Sequence, residues 1–227
     1  MSDIRTEAVE DFVKAVYKLQ QLHDKVPTTA IAQELNITPP SATDMAKKLS
    51  DDARLKEPLI TYTRYKGVRL TKLGEEVALE VLRHHRLIEL YLVEALGYSL
   101  DEVHEEAERL EHVISERFEA RIAEWLGHPD IDPHGDPIPS LEGDMPEGVM
   151  LVSLAEFSVG KPGTVKRLLD QTPDILQYLH EKGISLGAVI TVTEREPFDG
   201  LTHIVVDGNE HVLGQTITRH VLLSSEI

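Results

Sequence analysis

The segment from His104 to His112 carries the residues with the clearest capacity for chemistry in this sequence. It reads His-Glu-Glu-Ala-Glu-Arg-Leu-Glu-His. On an α-helix, four of its imidazole and carboxylate side chains fall within roughly a 100° arc. These four are His104, Glu108, Glu111 and His112. Side chains three and four positions apart on one helix face can converge on a single ion, so the spacing predicts a metal site.

His85 and Glu89 form a further pair with i, i+4 spacing on the preceding predicted helix. The chain contains no cysteine, so its donors are oxygen and nitrogen, which suit Mn(II) and Fe(II) better than copper or thiolate-bound zinc. A solvated acidic helix face is the other interpretation of such a cluster. A di-iron carboxylate enzyme is disfavoured, because its mark is a repeated Glu-x-x-His, whereas Glu108 and His112 are four positions apart.

Charge is distributed unevenly along the 227 residues, whose formal net charge is −17. Residues 1–72 hold 12 basic and 10 acidic side chains, residues 73–146 hold 5 and 19, and residues 147–227 hold 6 and 11. A weakly basic head can approach phosphates, while an acidic, histidine-rich middle attracts cations. The sequence shows no apolar run of about 18 residues, no signal-peptide pattern and no cysteine, so we expect a cytoplasmic protein without membrane contact.

Residues 1–72 predict a winged helix-turn-helix DNA-binding domain. Apolar residues recur at helical spacing, a proline-containing turn separates two short helices, and two β-rich runs follow around a turn with glycine. The predicted elements are a helix from Ala8 to Leu19, a helix over Ala30–Leu35 capped by Thr28 and Thr29, a helix over Ser41–Leu49, and a hairpin of residues 59–63 and 68–71.

Residues 73–140 predict a helical domain for metal binding and dimerisation. One helix carries an apolar stripe that ends at Gly97, and its residues Leu87, Leu90 and Tyr91 are the candidate dimer interface. A second helix is expected to run without a break from Ser99 towards Trp125. Together with the winged domain, these helices give a fold class that is mainly α with small β parts.

Residues 141–227 predict the end of a linker and a small β-barrel domain. The stretch from His128 to Gly148 is dense in Pro, Gly and Asp, which is typical of a linker. Apolar runs separated by glycine and charged residues then predict an antiparallel β-barrel. One helix is expected within it, near residues 174–180.

Taken together, these residues resemble the DtxR/MntR family of metal-dependent transcriptional regulators. The resemblance rests on Glu10-Asp11-Phe12, residues 31–49, Tyr65–Thr71, His84–Glu89, Glu108–His112 and Asp132–Pro139. It implies a homodimer with a FeoA-like barrel in residues 141–227. It also implies that the dimer binds a double-stranded DNA operator with inverted-repeat symmetry and represses metal-uptake genes.

The resemblance also implies two metal sites. The primary site falls on Asp11, Glu108, Glu111 and His112, and the secondary site on His85, Glu89 and His104. Iron-responsive members have methionine and cysteine in place of Asp11 and Glu108, so both donor chemistry and resemblance favour Mn(II), with Fe(II) as the alternative and Co(II), Zn(II) or Cd(II) as substitutes in vitro. Lys14 stands where binuclear manganese regulators have a ligating Glu. Asp170 and Gln171 lie near the positions of barrel ligands in iron-responsive members.

A metal-dependent switch follows from the implied ligands, because Asp11 lies in the DNA-binding domain and the others lie in the helical domain. A bound ion would tie the two together and favour the orientation that fits DNA. The predicted DNA-facing residues are Thr28, Thr38, Pro40, Ser41, Thr43, Asp44, Lys47, Lys48, Arg64 and Lys66. We expect no enzymatic activity. The alternative is a metal-independent winged-helix regulator that senses an organic ligand.

Overall fold

The computed structural model describes residues 5–51, 57–198 and 200–225. The chain divides into two compact units. The first unit is Met1–His84, Glu111–Val113 and Pro139–Asp144, and the second is His85–Leu110, Ile114–Ile138 and Met145–Ile227. Among the described residues, no helix combines the length and the apolar character needed to cross a bilayer.

The first unit contains the predicted winged helix-turn-helix. Its elements are α1 (Glu7–Gln20), α2 (Thr28–Glu34), α3 (Pro39–Ser50), the antiparallel strands β1 (Ile60–Thr63) and β2 (Gly67–Leu70), and the start of α4 (Lys72–Leu96). Phe12, Ile31, Ala46 and Val68 are fully buried in one apolar core. That core fixes the face of each helix, because most of the apolar residues of α1, α2 and α3 pack into it.

The N-termini of α2 and α3 are capped differently. α2 begins at Thr28 with Pro27 as its N-cap, so Thr28 is the first helical residue and not the predicted cap. Thr38 is the N-cap of α3, and its hydroxyl accepts a hydrogen bond from the Ser41 backbone N–H at 3.3 Å. A Thr cap of this kind satisfies one of the free N–H groups of the first turn.

The predicted continuous helix from Ser99 to Trp125 is wrong. The chain forms two helices there, α5 (Val103–Leu110) and α6 (Glu116–Trp125). Ser115 starts the second one, because its hydroxyl accepts from the Phe118 N–H at 3.3 Å. Glu111 and His112 therefore lie in the turn between the helices, and the single helix face predicted for four donors does not exist.

Residues 132–138, predicted to be linker, are packed into the second unit. Asp132 accepts backbone hydrogen bonds from His134 at 2.8 Å and from Asp136 at 2.9 Å, which folds the segment into a tight turn. Asp132, His134 and Ile138 are at most 2% exposed. The composition suggested a solvated connection, but this segment contributes buried polar groups to the protein interior.

The C-terminal part of the second unit is a six-stranded antiparallel sheet in the order β3-β8-β4-β5-β6-β7. Its elements are β3 (Val152–Ser153), β4 (Pro162–Leu168), α7 (Pro173–Glu181), β5 (Val189–Arg195), β6 (Thr202–Val206), β7 (Asn209–Leu213), α8 (Gln215–Thr218) and β8 (Val221–Ser224). The predicted helix is α7, and the short α8 was not predicted. The sheet joins residues 131–138 through the Leu168 N–H, which donates to the His134 carbonyl at 2.9 Å.

The close packing of residues 131–138 on β4 can be tested by substitution of Gly135. Its φ is +87°, and an added Cβ would lie 2.0 Å from the Lys166 carbonyl oxygen. Gly127 has a similar φ of +76°, but a Cβ there would meet no atom within 4 Å. We expect Gly135→Ala to lower the free energy of unfolding by about 2–4 kcal/mol and Gly127→Ala by about 1 kcal/mol, measured by denaturant titration. Equal losses would show that backbone strain alone matters at Gly135.

Candidate metal centres

Cluster A consists of Asp11, Glu111 and His112, whose ligand atoms lie within 4.8 Å of one another in the first unit. The apolar face of α1 packs into the core and leaves Asp11 at the helix edge. The turn after α5 supplies the other two residues. His112 Nε2 lies 3.0 Å from Asp11 Oδ1 and 3.3 Å from Glu111 Oε1. Two carboxylates and one imidazole converge here, and such donors suit a divalent cation.

Glu10 orients the imidazole of cluster A. Its Oε2 lies 2.7 Å from His112 Nδ1, so this ring nitrogen donates to Glu10 and Nε2 faces Asp11 and Glu111. A carboxylate behind a ligating histidine fixes its tautomer in many metal sites. Hydrogen bonds to Asp11 and Glu10 raise the pKa of His112 to about 10, against the opposing effect of burial. Sequence reasoning did not assign this role to Glu10, because the two residues are far apart in the chain.

Lys14 lies directly beside cluster A. Its Nζ donates to both carboxylate oxygens of Glu111, at 2.6 and 2.8 Å. Both side chains are buried, with 7% of Lys14 and 0% of Glu111 exposed. The carboxylate of Glu111 therefore faces a protein cation on one side and His112 on the other.

Cluster B consists of His85, Glu89 and His104 in the second unit. Glu89 Oε1 lies 3.0 Å from His85 Nε2 and 3.1 Å from His104 Nδ1, and Glu89 is 1% exposed. Burial by itself raises the pKa of Glu89, but the charge of His85, the hydrogen bond with His104 and the nearby His134 imidazole hold it well below its usual value. A fully charged carboxylate surrounded by imidazoles is a site from which protons can be exchanged for a cation.

Glu108, assigned to the primary site by resemblance, contacts His104 in the structure. Its Oε1 lies 3.5 Å from His104 Nε2. The hydrogen bond to Glu108, followed by that to Glu89, raises the pKa of His104 to about 9. Thus cluster A brings together Asp11, Glu111 and His112, and Glu108 belongs to the second unit.

Cluster C consists of Glu89, Asp132 and His134, all buried. His134 Nδ1 lies 3.6 Å from Glu89 Oε2. Among the described residues, neither ring nitrogen of His134 has a hydrogen-bond partner within 3.5 Å. Burial, Asp136 and Glu89 raise the pKa of Asp132 to about 7. Buried donors without partners are costly, and a cation between these side chains would satisfy them. Because Glu89 belongs to both B and C, the two groups form one polar centre.

Asp132 and His134 were not predicted as ligands from the sequence, where they stand within a linker motif. The sequence feature that could have indicated them is an acidic residue and a histidine two positions apart, followed directly by Gly135.

The side chains of Asp170 and Gln171 make other contacts. Gln171 Nε2 donates to Asp136 Oδ2 at 2.7 Å, and Asp170 Oδ1 accepts from the Thr172 hydroxyl at 2.8 Å. Among the described residues, Asp170 belongs to none of the three acid and imidazole clusters.

The predicted DNA-facing residues lie on α3 and its N-cap, on the wing and, for Thr28, at the start of α2. Ala42, Ala46 and Leu49 of α3 are buried. The exposed predicted residues are Thr38, Pro40, Ser41, Asp44, Lys47, Lys48, Arg64 and Lys66, and the half-buried ones are Thr28 and Thr43. Thr28 and Thr43 contact each other through their hydroxyls at 3.3 Å. Lys47 and Asp44 form an exposed pair at 3.2 Å.

Tyr65 at the tip of the wing was not proposed from the sequence. It is 90% exposed, and its φ of +62° is unusual for a residue with a side chain. The Arg64 guanidinium lies 4.8 Å from the centre of its ring. The wing therefore presents an aromatic ring and a cation together.

Three family descriptions match consecutive parts of the chain. Residues 5–68 match the iron dependent repressor N-terminal DNA binding domain, residues 71–140 match the iron dependent repressor metal binding and dimerisation domain, and residues 152–225 match the FeoA domain. The six-stranded sheet is thus the predicted FeoA-like domain.

Relatives and solved structures match over nearly the full length. The iron-dependent repressor IdeR of Mycobacterium tuberculosis is 32% identical over 217 residues, 91% of each chain. The diphtheria toxin repressor of Corynebacterium diphtheriae is 24% identical and covers 89% of this chain and 91% of its own. A manganese-dependent transcriptional repressor in complex with manganese has a TM-score of 0.84 and 36% identity, covering 95% of this chain and 98% of its own. The chain therefore belongs to the DtxR/MntR family, the family of the diphtheria toxin repressor and the iron-dependent repressors.

Proposed function

We propose that this protein is a metal-dependent DNA-binding repressor that uses Mn(II) as its preferred co-repressor, with Fe(II) as the alternative. The observation that supports it most strongly is cluster A, where Asp11 of α1 meets Glu111 and His112 within 4.8 Å. Phe12 and Val16 of the same helix are buried in the core of the winged helix-turn-helix. A ligand on this helix can therefore report metal occupancy directly to the DNA-binding fold.

The preference for Mn(II) follows from the donors. Clusters A, B and C contain only carboxylates and imidazoles, and soft thiolate ligands are excluded because the chain has no cysteine. Hard oxygen donors suit Mn(II) and Fe(II) and give no special advantage to copper. Zn(II), Cd(II) and Co(II) fit the same donors and are expected to substitute in vitro.

The residues of cluster A would act as a clamp between α1 and the turn after α5. In the absence of an ion, Asp11 and Glu111 are held by the proton on His112 and by Lys14. The ion would supply a double positive charge that these carboxylates share. Glu10 keeps His112 Nε2 turned towards Asp11. Binding energy gained in one arrangement of these residues favours that arrangement.

The DNA side of the proposal assigns α3 to the major groove and the wing to the backbone. Lys47, Lys48, Arg64 and Lys66 would contact phosphates, and the hydroxyls of α3 would reach bases or phosphates. A dimer with two such heads is expected to bind an inverted-repeat operator with half-sites about one helical turn apart. We further propose that the protein acts in the cytoplasm, represses metal-uptake genes and catalyses no reaction.

Operator binding measured in Mn(II), Fe(II), Zn(II) and EDTA tests this proposal. We expect affinity to fall by at least about tenfold in EDTA, which corresponds to about 1.4 kcal/mol of coupling between metal and DNA. Asp11→Asn should lose most of the Mn(II) response. Glu7→Gln removes another carboxylate from α1, an exposed one, and should leave the response intact. Affinity that is the same in EDTA would favour a metal-independent regulator.

The pH dependence of Mn(II) binding tests the ligand role of His112. With a pKa of about 10, this imidazole is protonated at neutral pH and must lose a proton from Nε2 to bind an ion. Affinity should therefore increase with pH between 6 and 8, by up to about tenfold per unit for each proton displaced. Glu10→Gln removes one cause of the raised pKa, so fewer protons should be released. Calorimetry in two buffers of different ionisation enthalpy counts them, and zero release would exclude His112 as a ligand.

The dimer interface is proposed on an exposed aromatic patch of α4 and α6. The rings of Tyr91 and Trp125 meet edge to face at 5.5 Å, and Trp125 is 59% exposed. The sequence predicted Leu87, Leu90 and Tyr91 at the interface, but Leu87 is fully buried within the second unit and Leu90 packs against the same core. We therefore propose Tyr91, Phe118 and Trp125 instead. Large aromatic residues of this kind dominate many interfaces.

Substitution of Trp125 tests the dimer. We expect Trp125→Ala to raise the dimer dissociation constant by at least about tenfold, because tryptophan is enriched among the interface residues whose truncation costs about 2 kcal/mol or more. Sedimentation equilibrium at micromolar concentration measures it. Phe198→Ala is the control, since this ring is 95% exposed on the sheet domain. A wild-type protein that stays monomeric would contradict the proposal.

A further inference from the structure

We propose, on the basis of the DNA-binding function above, that the Tyr65 ring at the tip of the wing enters the minor groove of the operator and makes the protein prefer A·T pairs there. The inference adds a second groove to the major groove assigned to α3, and with it a further source of sequence specificity. It rests on the exposure, the backbone conformation and the charged neighbours of Tyr65.

The wing packs on the protein through side chains other than Tyr65. Its strands contribute Ile60, Val68 and Leu70 to the apolar core of the first unit. Tyr65 lies in the turn between the two strands and is 90% exposed. A tyrosine ring gains free energy when it is buried, and at this position only a partner molecule can bury it.

The backbone at Tyr65 has a conformation that disfavours its side chain. Its φ of +62° lies in the left-handed region, where glycine and asparagine are the usual residues. Gly67 also has a positive φ, of +113°, so the hairpin contains glycine at one such position and tyrosine at the other. Strained residues of this kind are concentrated where a side chain has a function. The conformation therefore indicates a use for the ring outside the fold.

The base of the wing is fixed to the helix-turn-helix. Val26, just before α2, and Val68 exchange two backbone hydrogen bonds of 2.8 Å. A Cβ on Gly67 would lie 2.5 Å from the Val26 carbonyl oxygen. The turn itself is closed by the Lys66 N–H, which donates to the Thr63 carbonyl at 2.9 Å. The tip is thus held at a fixed position relative to α2, as contact with a second groove requires.

The charged neighbours of Tyr65 indicate nucleic acid as the partner. Arg64 and Lys66 flank the ring, both are exposed, and the Arg64 guanidinium lies 4.8 Å from the ring centre. Residues 60–70 contain three basic side chains and no acidic one. The minor groove is about 6 Å wide and strongly negative, which suits a flat ring between two cations. In this arrangement Arg64 and Lys66 keep the phosphate contacts proposed above.

The floor of the minor groove decides which base pairs admit the ring. A·T pairs present only the acceptors adenine N3 and thymine O2, to which the Tyr65 hydroxyl can donate. G·C pairs add the guanine N2 amino group, which occupies space that the ring would take. An inosine·cytosine pair lacks this amino group. It therefore resembles A·T in the minor groove, while it resembles G·C in the major groove.

Operator duplexes with single base-pair changes test the inference. The probe is a duplex that the wild type selects from a random-sequence library in Mn(II), and each A·T pair of a half-site is replaced in turn by G·C and by inosine·cytosine. Fluorescence anisotropy at fixed salt measures the affinity. At one or more pairs of each half-site, we expect G·C to weaken binding by at least about fivefold and inosine·cytosine by less than about twofold. At pairs that α3 contacts in the major groove, both replacements should weaken binding alike.

Substitution of Tyr65 tests whether the wing causes this pattern. Tyr65→Asn removes the ring and suits the positive φ, because asparagine tolerates this conformation. We expect this variant to bind the selected duplex at least about fivefold more weakly and to bind the A·T and G·C duplexes equally, within about twofold. Tyr65→Phe keeps the ring and should keep the preference. Phe198→Asn removes another ring, 95% exposed on the sheet domain, and should bind as the wild type does.

The possible results separate this inference from the proposed function. Mn(II)-dependent binding in which Tyr65→Asn keeps the wild-type preference for A·T would overturn the inference and leave the proposed function intact. The same conclusion would follow if inosine·cytosine weakened binding as much as G·C at every pair. Loss of the preference in Tyr65→Phe would overturn the role of the ring. If the wild type selected no duplex in Mn(II), the proposed function itself would fail, and this inference with it.

Discussion

A carboxylate that is buried away from water needs a positive partner, and Glu89 and Glu111 show how this chain provides one. Glu89 and Glu111 are each 1% exposed. Removing the partner of a buried charge typically costs about 3–5 kcal/mol, which is a large part of the stability of a domain. Lys14 balances Glu111, and His85, His104 and His134 surround Glu89. The elements that carry these partners are consequently held together by charge as well as by apolar packing.

The parts of the fold that depend on local pattern were predictable. The helices of the winged domain and the long α4 follow from apolar spacing, and the wing follows from two β-rich runs around a turn. The break between α5 and α6 was not predictable in this way, because the i, i+3 and i+4 donor pattern continues through residues 108–112. A Ser115 cap decides the outcome, and the His84 ring, which donates to the Glu111 carbonyl at 3.1 Å, also stabilises the turn.

The candidate centres were only partly predictable for a related reason. The residue types of clusters A and B stand out in the sequence, since histidines and carboxylates recur at helical spacing. Asp132 and His134 do not, because proline and glycine around them indicate a solvated linker, whereas the close approach of Gly135 to β4 buries them. Lys14 was identifiable as a residue that does not ligate, but its ion pair with Glu111 spans 97 positions. Contacts between residues so far apart in the chain produce no periodic pattern in the sequence.

Glu89 and Glu111 differ in the positive groups that an incoming metal ion would have to displace. Around Glu89 the positive partners are imidazoles, and an imidazole that gives up its proton becomes a ligand itself. The ion then replaces protons, and the charge of the centre changes little. Around Glu111 one partner is an ammonium, which offers no lone pair while it is charged, so the ion must share the carboxylate with it. Under the proposed function, cluster A would be the centre that couples metal to DNA, because its candidate ligand Asp11 lies on the helix whose Phe12 and Val16 are buried in the DNA-binding core.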